Sequence, residues 1–144
     1  MEAIRKHHGY IDYAINLITG ILFVFAVIMA FGYGAAVAIP ESLLEPLVVF
    51  SPTLAFALVD LLTQGLPAVL IFVVLSLAIK LFKVRVVYTI LAMPFVLFML
   101  SALPELLVNT SGSGFHLASI CAKTLPVVLC ALFLAKKDKE SNSA

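Results

Sequence analysis

A run of 21 mostly apolar residues, 115–135, most strongly constrains what this chain can fold into. A helix rises about 1.5 Å per residue, so the run is long enough to cross a hydrocarbon core about 30 Å thick. Lys123 lies near the middle of the run. A cation at that depth costs about 2.5–3.5 kcal/mol on insertion scales and normally has a partner or faces a wet cavity. The run therefore predicts a membrane helix and, elsewhere in the chain, a partner for Lys123.

The composition of the whole chain also predicts a membrane protein. Of its 144 residues, 63% are hydrophobic and 12% are charged, whereas a soluble domain has about 25% charged residues. Such a chain lacks the polar side chains to cover a surface that faces water. The sequence contains no basic patch of the kind that binds nucleic acid, no nucleotide-binding loop and no metal-ligand spacing. We therefore expect a protein of the lipid bilayer that binds no nucleic acid, cofactor or metal.

Apolar runs separated by glycine, proline and charged residues predict an all-α membrane protein, a bundle of four transmembrane helices. We place the spans at residues 11–31, 65–81, 86–108 and 115–135. Residues 1–135 then form a single transmembrane domain. Residues 136–144 form a charged cytoplasmic tail, which we expect to be disordered.

The outer-side segment between the first two spans, residues 41–64, has two possible structures. Its first part has the pattern of a short amphipathic helix at the membrane surface. Ser51 and Pro52 are typical of a second helix start, with serine as the N-cap and proline at the first position. That helix either ends near Gln64, as an interfacial or re-entrant helix, or continues into the second span with a kink near Pro67. We favour the separate helix, because a continuous one of about 30 residues is long for the membrane.

The basic residues indicate the orientation of the chain. In the four-span arrangement, every lysine and arginine except Lys123 lies on one side, namely Arg5, Lys6, Lys80, Lys83, Arg85, Lys136, Lys137 and Lys139. Cytoplasmic loops carry an excess of lysine and arginine. We therefore expect both termini in the cytoplasm and the protein in a plasma membrane or a bacterial inner membrane.

Polar residues in the outer half of the predicted bundle form the candidate site. They are two acids, two bases and two neutral groups: Asp60, Glu105, His116, Lys123, Gln64 and Ser119. In a structural interpretation, Lys123 pairs with Glu105 or Asp60, and the pair determines how the helices pack. In a functional interpretation, the cluster lines an outward-facing cavity for an ion, a proton or a small polar solute, since ionisable groups inside membranes often serve such pathways. We favour the structural interpretation.

The sequence shows no paired nucleophile and base, so we expect no enzyme activity and no catalytic residues. Small multidrug exporters, colicin-type immunity proteins and many accessory subunits have four short spans, so the architecture does not select a function. The exporters carry a membrane-embedded glutamate in span one, whereas this first span has only Asp12 at its start. We expect an accessory, immunity-like or partner-binding subunit whose partner is another membrane protein or a second copy. The alternative is an ion- or proton-coupled transporter or channel component, homo-oligomeric, that uses the polar cluster.

Overall fold

A computed structural model describes residues 2–34, 40–104 and 113–141. Within these ranges every regular element is helical: α1 (Glu2–Gly34), α2 (Glu41–Phe50), α3 (Pro52–Asp60), a π-helical turn (Leu61–Gly65), α4 (Leu66–Leu81), α5 (Tyr88–Leu100) and α6 (Ser113–Ser141). Three helical stretches are long and apolar enough to cross a membrane, namely Gly9–Tyr33, Pro52–Leu81 and Gly114–Ser141. The predicted all-helical class is confirmed for the described residues, with three candidate membrane-spanning helices.

The favoured separation of the outer helix from the second span is wrong. α3, the π-helical turn and α4 form one helix of 30 residues, Pro52–Leu81. Its start follows the prediction, because Ser51 is the N-cap and its Oγ accepts a hydrogen bond of 3.4 Å from the Leu54 amide. The predicted start of the span at Gly65 is therefore inside a continuous helix.

The π-helical turn explains how the helix continues past Pro67. In this turn the Leu66 amide donates to the Leu61 carbonyl, five residues back. A proline has no amide to donate one turn back, and its ring clashes with the carbonyl there. A π-helical turn widens the helix by one residue per turn, so it accommodates the proline that follows without ending the helix.

The third predicted span, 86–108, is not one helix over its described part. α5 has 13 residues and ends at Leu100, followed by a turn at Ser101. Pro104 supplies the reason, because it cannot donate to the Leu100 carbonyl one turn earlier. A helix of this length reaches about 20 Å, which is less than the thickness of the hydrocarbon core. Residues 105–108 lie outside the described part of the chain.

The predicted disorder of the tail is wrong over residues 136–141, where α6 continues to Ser141. Lys136 Nζ lies 3.9 Å from Glu140 Oε1, one turn further along the helix. Asp138 Oδ1 lies 2.9 Å from Lys80 Nζ of α4. The first pair lies along the helix and the second joins it to the bundle, so both favour helix over coil here.

α1 and α5 run in the same direction. The Asn16 side chain of α1 accepts a hydrogen bond from the amide of Val87, the residue just before α5. Further along both helices, the rings of Phe23 and Phe95 pack with their centroids 5.1 Å apart, and both side chains are fully buried. Residues later in α1 therefore contact residues later in α5, which is the pattern of parallel helices.

The α3–α4 helix and α6 form the second parallel pair, which runs opposite to the first. Asp60 meets Lys123 in the first half of both helices, and Lys80 meets Asp138 near the ends of both. The α4–α5 loop and the end of α6 thus share one end of the molecule. We call this the basic end, because it carries Lys80, Lys83, Arg85, Lys136, Lys137 and Lys139.

Two glycines allow these helices to approach closely. A Cβ placed on Gly20 would lie 2.7 Å from the Leu91 carbonyl oxygen and 3.0 Å from the Pro94 side chain. A Cβ placed on Gly65 would lie 2.7 Å from the Ala122 carbonyl oxygen. Real Cβ atoms are essentially never found this close to another atom, so the contact of α1 with α5 and that of the α3–α4 helix with α6 both require glycine.

Candidate functional site

The carboxylate of Asp60 is the centre of the polar cluster. Lys123 Nζ lies 3.5 Å from Asp60 Oδ2, and the Ser119 hydroxyl donates a hydrogen bond to the same oxygen. Gln64 Nε2 donates a hydrogen bond of 3.1 Å to Asp60 Oδ1. Both oxygens of Asp60 are therefore engaged by side chains of the same chain. We call these four residues the Asp60 network.

Helical spacing brings the four side chains together. Asp60 ends α3, and Gln64 follows one turn later within the π-helical turn. Ser119 and Lys123 are likewise one turn apart on α6. Residues four apart lie on one face of a helix. The network therefore joins one face of the α3–α4 helix to one face of α6.

The close backbone approach at Gly65 brings these two faces within reach of each other. Gly65 packs on the carbonyl of Ala122, the residue before Lys123. Pro126 lies one turn beyond Ala122 and has no amide to donate to that carbonyl. The Ala122 carbonyl therefore lacks its helical donor. It lies beside the ion pair, where Gly65 packs against α6.

The ion pair is mostly but not completely buried. The side chains of Lys123 and Asp60 keep 20% and 17% of their surface exposed. The separation of 3.5 Å exceeds the usual N–H···O range of about 2.7–3.2 Å, so the contact is one of opposite charges rather than a close hydrogen bond. Pairing offsets part of the cost of placing a lysine and an aspartate within an apolar helix bundle. The arrangement can hold two helices in register.

Among the described residues, the structure pairs Lys123 with Asp60, one of its two predicted partners. Of the six predicted site residues, it brings together Asp60, Gln64, Ser119 and Lys123. His116 is exposed and its ring packs edge-on against Phe115, with centroids 5.7 Å apart, so the described contacts do not place it in the network. Glu105 lies outside the described residues.

Sequence reasoning assigned no role to Asn16, which is fully buried. Its Nδ2 donates to the carbonyls of Asp12, at 2.7 Å, and Arg85, at 2.8 Å. Its Oδ1 accepts from the Val87 amide at 2.9 Å. Asn16 therefore attaches α1 to the loop that leads into α5. The sequence feature that could have identified Asn16 is an amide side chain within an apolar span, because such side chains hydrogen-bond between membrane helices.

A second polar contact joins three helices at the basic end. Lys80 Nζ of α4 lies 2.9 Å from Asp138 Oδ1 of α6 and 5.6 Å from the centroid of the Tyr88 ring of α5. A lysine over a tyrosine ring is attracted by the negative face of the ring. Sequence reasoning used Lys80 only to predict orientation, since neither contact has a local sequence pattern.

Comparisons with protein-family models, with characterised proteins and with solved structures find no match to this chain. The geometry of the chain itself is therefore the basis for a functional proposal.

Proposed function

We propose that this chain is a small non-enzymatic membrane protein that acts by binding another membrane protein or a second copy of itself. The supporting observation is that both oxygens of the Asp60 carboxylate have partners within this chain. Its carboxylate accepts from Gln64 and Ser119 and pairs with Lys123. A carboxylate whose two oxygens both bond side chains of its own chain, one of them on another helix, is suited to positioning those helices. We propose an accessory or immunity-like role on this basis.

The proposal includes four membrane spans, with α5 as the core of the third crossing. α4 ends at the basic end, whereas α6 begins at the opposite end, where the rings of Phe56 and Phe115 lie 5.2 Å apart. A chain that leaves α4 and enters α6 must therefore return along the bundle. α5 accounts for about 20 Å of this path. By the excess of lysine and arginine there, we propose that the basic end is cytoplasmic.

Purification in mild detergent, with mass determination and identification of co-eluting proteins, tests the proposal. We expect a second membrane protein in stoichiometric amount, or a dimer or larger assembly of this chain. A single copy that elutes without any partner, from mild detergent and from native nanodiscs alike, would overturn the proposal.

A transporter or channel component is the second candidate, supported by the π-helical turn that starts directly after Asp60. Single π-helical turns occur frequently at functional sites in helices. In this case Asp60 and Lys123 would separate during transport, so Asp60→Asn and Lys123→Met would abolish ion flux in vesicles. Lys136→Met, at a residue whose side chain is 78% exposed, is the matched control. Absence of flux from the native chain, with ion or proton gradients imposed in either direction, would exclude this candidate.

A further inference from the structure

A cavity of about 400 Å³ opens at the basic end, between the end of α4, the α4–α5 loop and the end of α6. This volume falls within the range of about 300–1,000 Å³ that is typical of small-molecule sites. The charged residues that line it are Lys80, Arg85, Asp138 and Lys139. Arg85 and Lys139 are exposed, so the cavity is reached from the surface. It is separate from the Asp60 network, which lies in the other half of the same two helices.

The charge of the cavity favours an anion. Three cations against one carboxylate leave a net charge of +2. The carboxylate of Asp138 is paired with Lys80 at 2.9 Å, so its repulsion of an incoming anion is largely neutralised. The guanidinium of Arg85 presents a planar set of donors that matches the oxygens of a phosphate group.

The backbone around Arg85 is held in place by the buried Asn16. Asn16 donates to the Arg85 carbonyl and accepts from the Val87 amide, on either side of Val86. A loop held in one conformation loses less entropy when it binds a ligand. The cavity wall that carries Arg85 is therefore largely preorganised.

The start of α5 contributes to the same wall. Val87 is its N-cap and offers no side-chain acceptor to the first-turn amides, and Thr89 of that turn lines the cavity. The first amides of a helix carry a partial positive charge that favours anions. This contribution adds to that of the three cationic side chains.

We propose that this cavity binds a phosphate group, carried by an anionic phospholipid or by a soluble phosphate compound. Basic pockets between membrane helices on the cytoplasmic side bind phospholipid head groups. The site lies at the end of the bundle, where head groups are found, and its charge and donors fit a phosphate from either source. The inference rests on the proposed orientation of the bundle but not on the proposed partner-binding role.

Native mass spectrometry of the full chain, titrated with phosphatidylglycerol and with phosphatidylcholine of the same acyl chains, tests the site. We expect phosphatidylglycerol to bind more tightly, and Arg85→Gln to weaken its binding about fivefold. Lys136→Gln is the matched control, since it removes one positive charge from the same end at a residue that does not line the cavity. Circular dichroism checks that both variants remain helical.

A titration with inorganic phosphate, followed by thermal unfolding, distinguishes the two sources. Thermal stabilisation by millimolar phosphate that is lost in Arg85→Gln, together with displacement of phosphatidylglycerol, identifies a soluble phosphate as ligand. Retention of the lipid in millimolar phosphate identifies the head group. Equal binding of the two lipids without phosphate stabilisation, or equal losses in Arg85→Gln and Lys136→Gln, would overturn the proposal.

Discussion

At the scale of single residues, Asp60 and Asn16 carry most of the polar contacts between helices. Asp60 receives donors from its own helix and from α6. Asn16 uses its amide nitrogen and its oxygen to bind two backbone groups of the α4–α5 loop. In each case a polar group that is costly within an apolar bundle bonds both to its own helix and to groups distant in sequence, and the distant bonds specify which helices are neighbours.

The ion pair makes a prediction that a double-mutant cycle can measure. Lys123→Ala leaves the Asp60 carboxylate without a cation, and we expect it to lower the free energy of unfolding by about 2 kcal/mol. Adding Asp60→Asn should restore part of this loss, because a neutral amide at this position can still accept a hydrogen bond. The stability of the native chain, both single variants and the double variant is measured by thermal unfolding in detergent. Strictly additive losses would show that the two side chains do not interact.

Asn16 makes a separate prediction. Asn16→Leu keeps the size of the side chain but leaves the Arg85 carbonyl and the Val87 amide without their partner. We expect a loss of about 1–3 kcal/mol in the free energy of unfolding. Ser101→Ala is the control, since its exposed hydroxyl donates to the Phe98 carbonyl of the preceding turn and its loss should cost less than about 0.5 kcal/mol. Equal stability of the native chain and Asn16→Leu would contradict the buried role of Asn16.

At the scale of helices, prolines and glycines determine where elements end and how closely they pack. Proline at position 104 ends α5 at Leu100, whereas Pro67 is tolerated because a π-helical turn precedes it. The loop after α4 is closed by Lys83 in the left-handed region, with φ of 58°. The Val84 amide then donates to Ile79 and the Lys83 amide to Lys80, which is the hydrogen-bond pattern of a Schellman C-cap. Each boundary follows from a local constraint on the backbone.

Substitution of the contact glycines tests the closeness of helix packing. In Gly65→Ala the new Cβ meets the Ala122 carbonyl at 2.7 Å, so α3–α4 and α6 must move apart. We expect a loss of about 1–3 kcal/mol in the free energy of unfolding. Gly32→Ala is the matched control, because nothing lies within 4 Å of its new Cβ and alanine favours a helix. Equal stability of both variants would mean that the contact at Gly65 is looser than the structure shows.

At the scale of the whole molecule, two parallel pairs of helices that run in opposite directions place the basic residues at one end. α1 and α5 run one way, while α3–α4 and α6 run the other. Lysine and arginine are retained on the cytoplasmic side during insertion. The observed arrangement therefore supports the proposed orientation, since the contacts between helices and the distribution of charge agree.

Cysteine labelling in right-side-out vesicles tests this topology. In a chain with Cys121 and Cys130 replaced by alanine, we expect a membrane-impermeant maleimide to label Ser51→Cys directly. Lys137→Cys should be labelled only after the membrane is permeabilised, because it lies at the proposed cytoplasmic end. Labelling of both cysteines without permeabilisation would show that residues 51 and 137 lie on the same side of the membrane, which would contradict the proposed topology.

Part of the candidate site could be predicted from the sequence, because it depends on the spacing of residues along one helix and on their distance from its end. The spacing of Asp60 and Gln64, and of Ser119 and Lys123, placed each pair on one helix face. The sequence left open whether Lys123 pairs with Asp60 or Glu105, since both predicted positions lie in the outer half of the bundle. The packing of the α3–α4 helix against α6, through Gly65, brings Asp60 to Lys123.

The sequence by itself determined the helical class of the described residues and the presence of apolar stretches long enough to cross a membrane, because length and hydropathy are local properties and a helix bonds its backbone groups internally. The tertiary structure decided which helices are neighbours, which polar groups meet, and that the 136–141 segment is helical. These features depend on contacts between residues far apart in sequence, such as Asn16 with Arg85. Such contacts leave no periodic pattern along the chain, so only the packed structure reveals them.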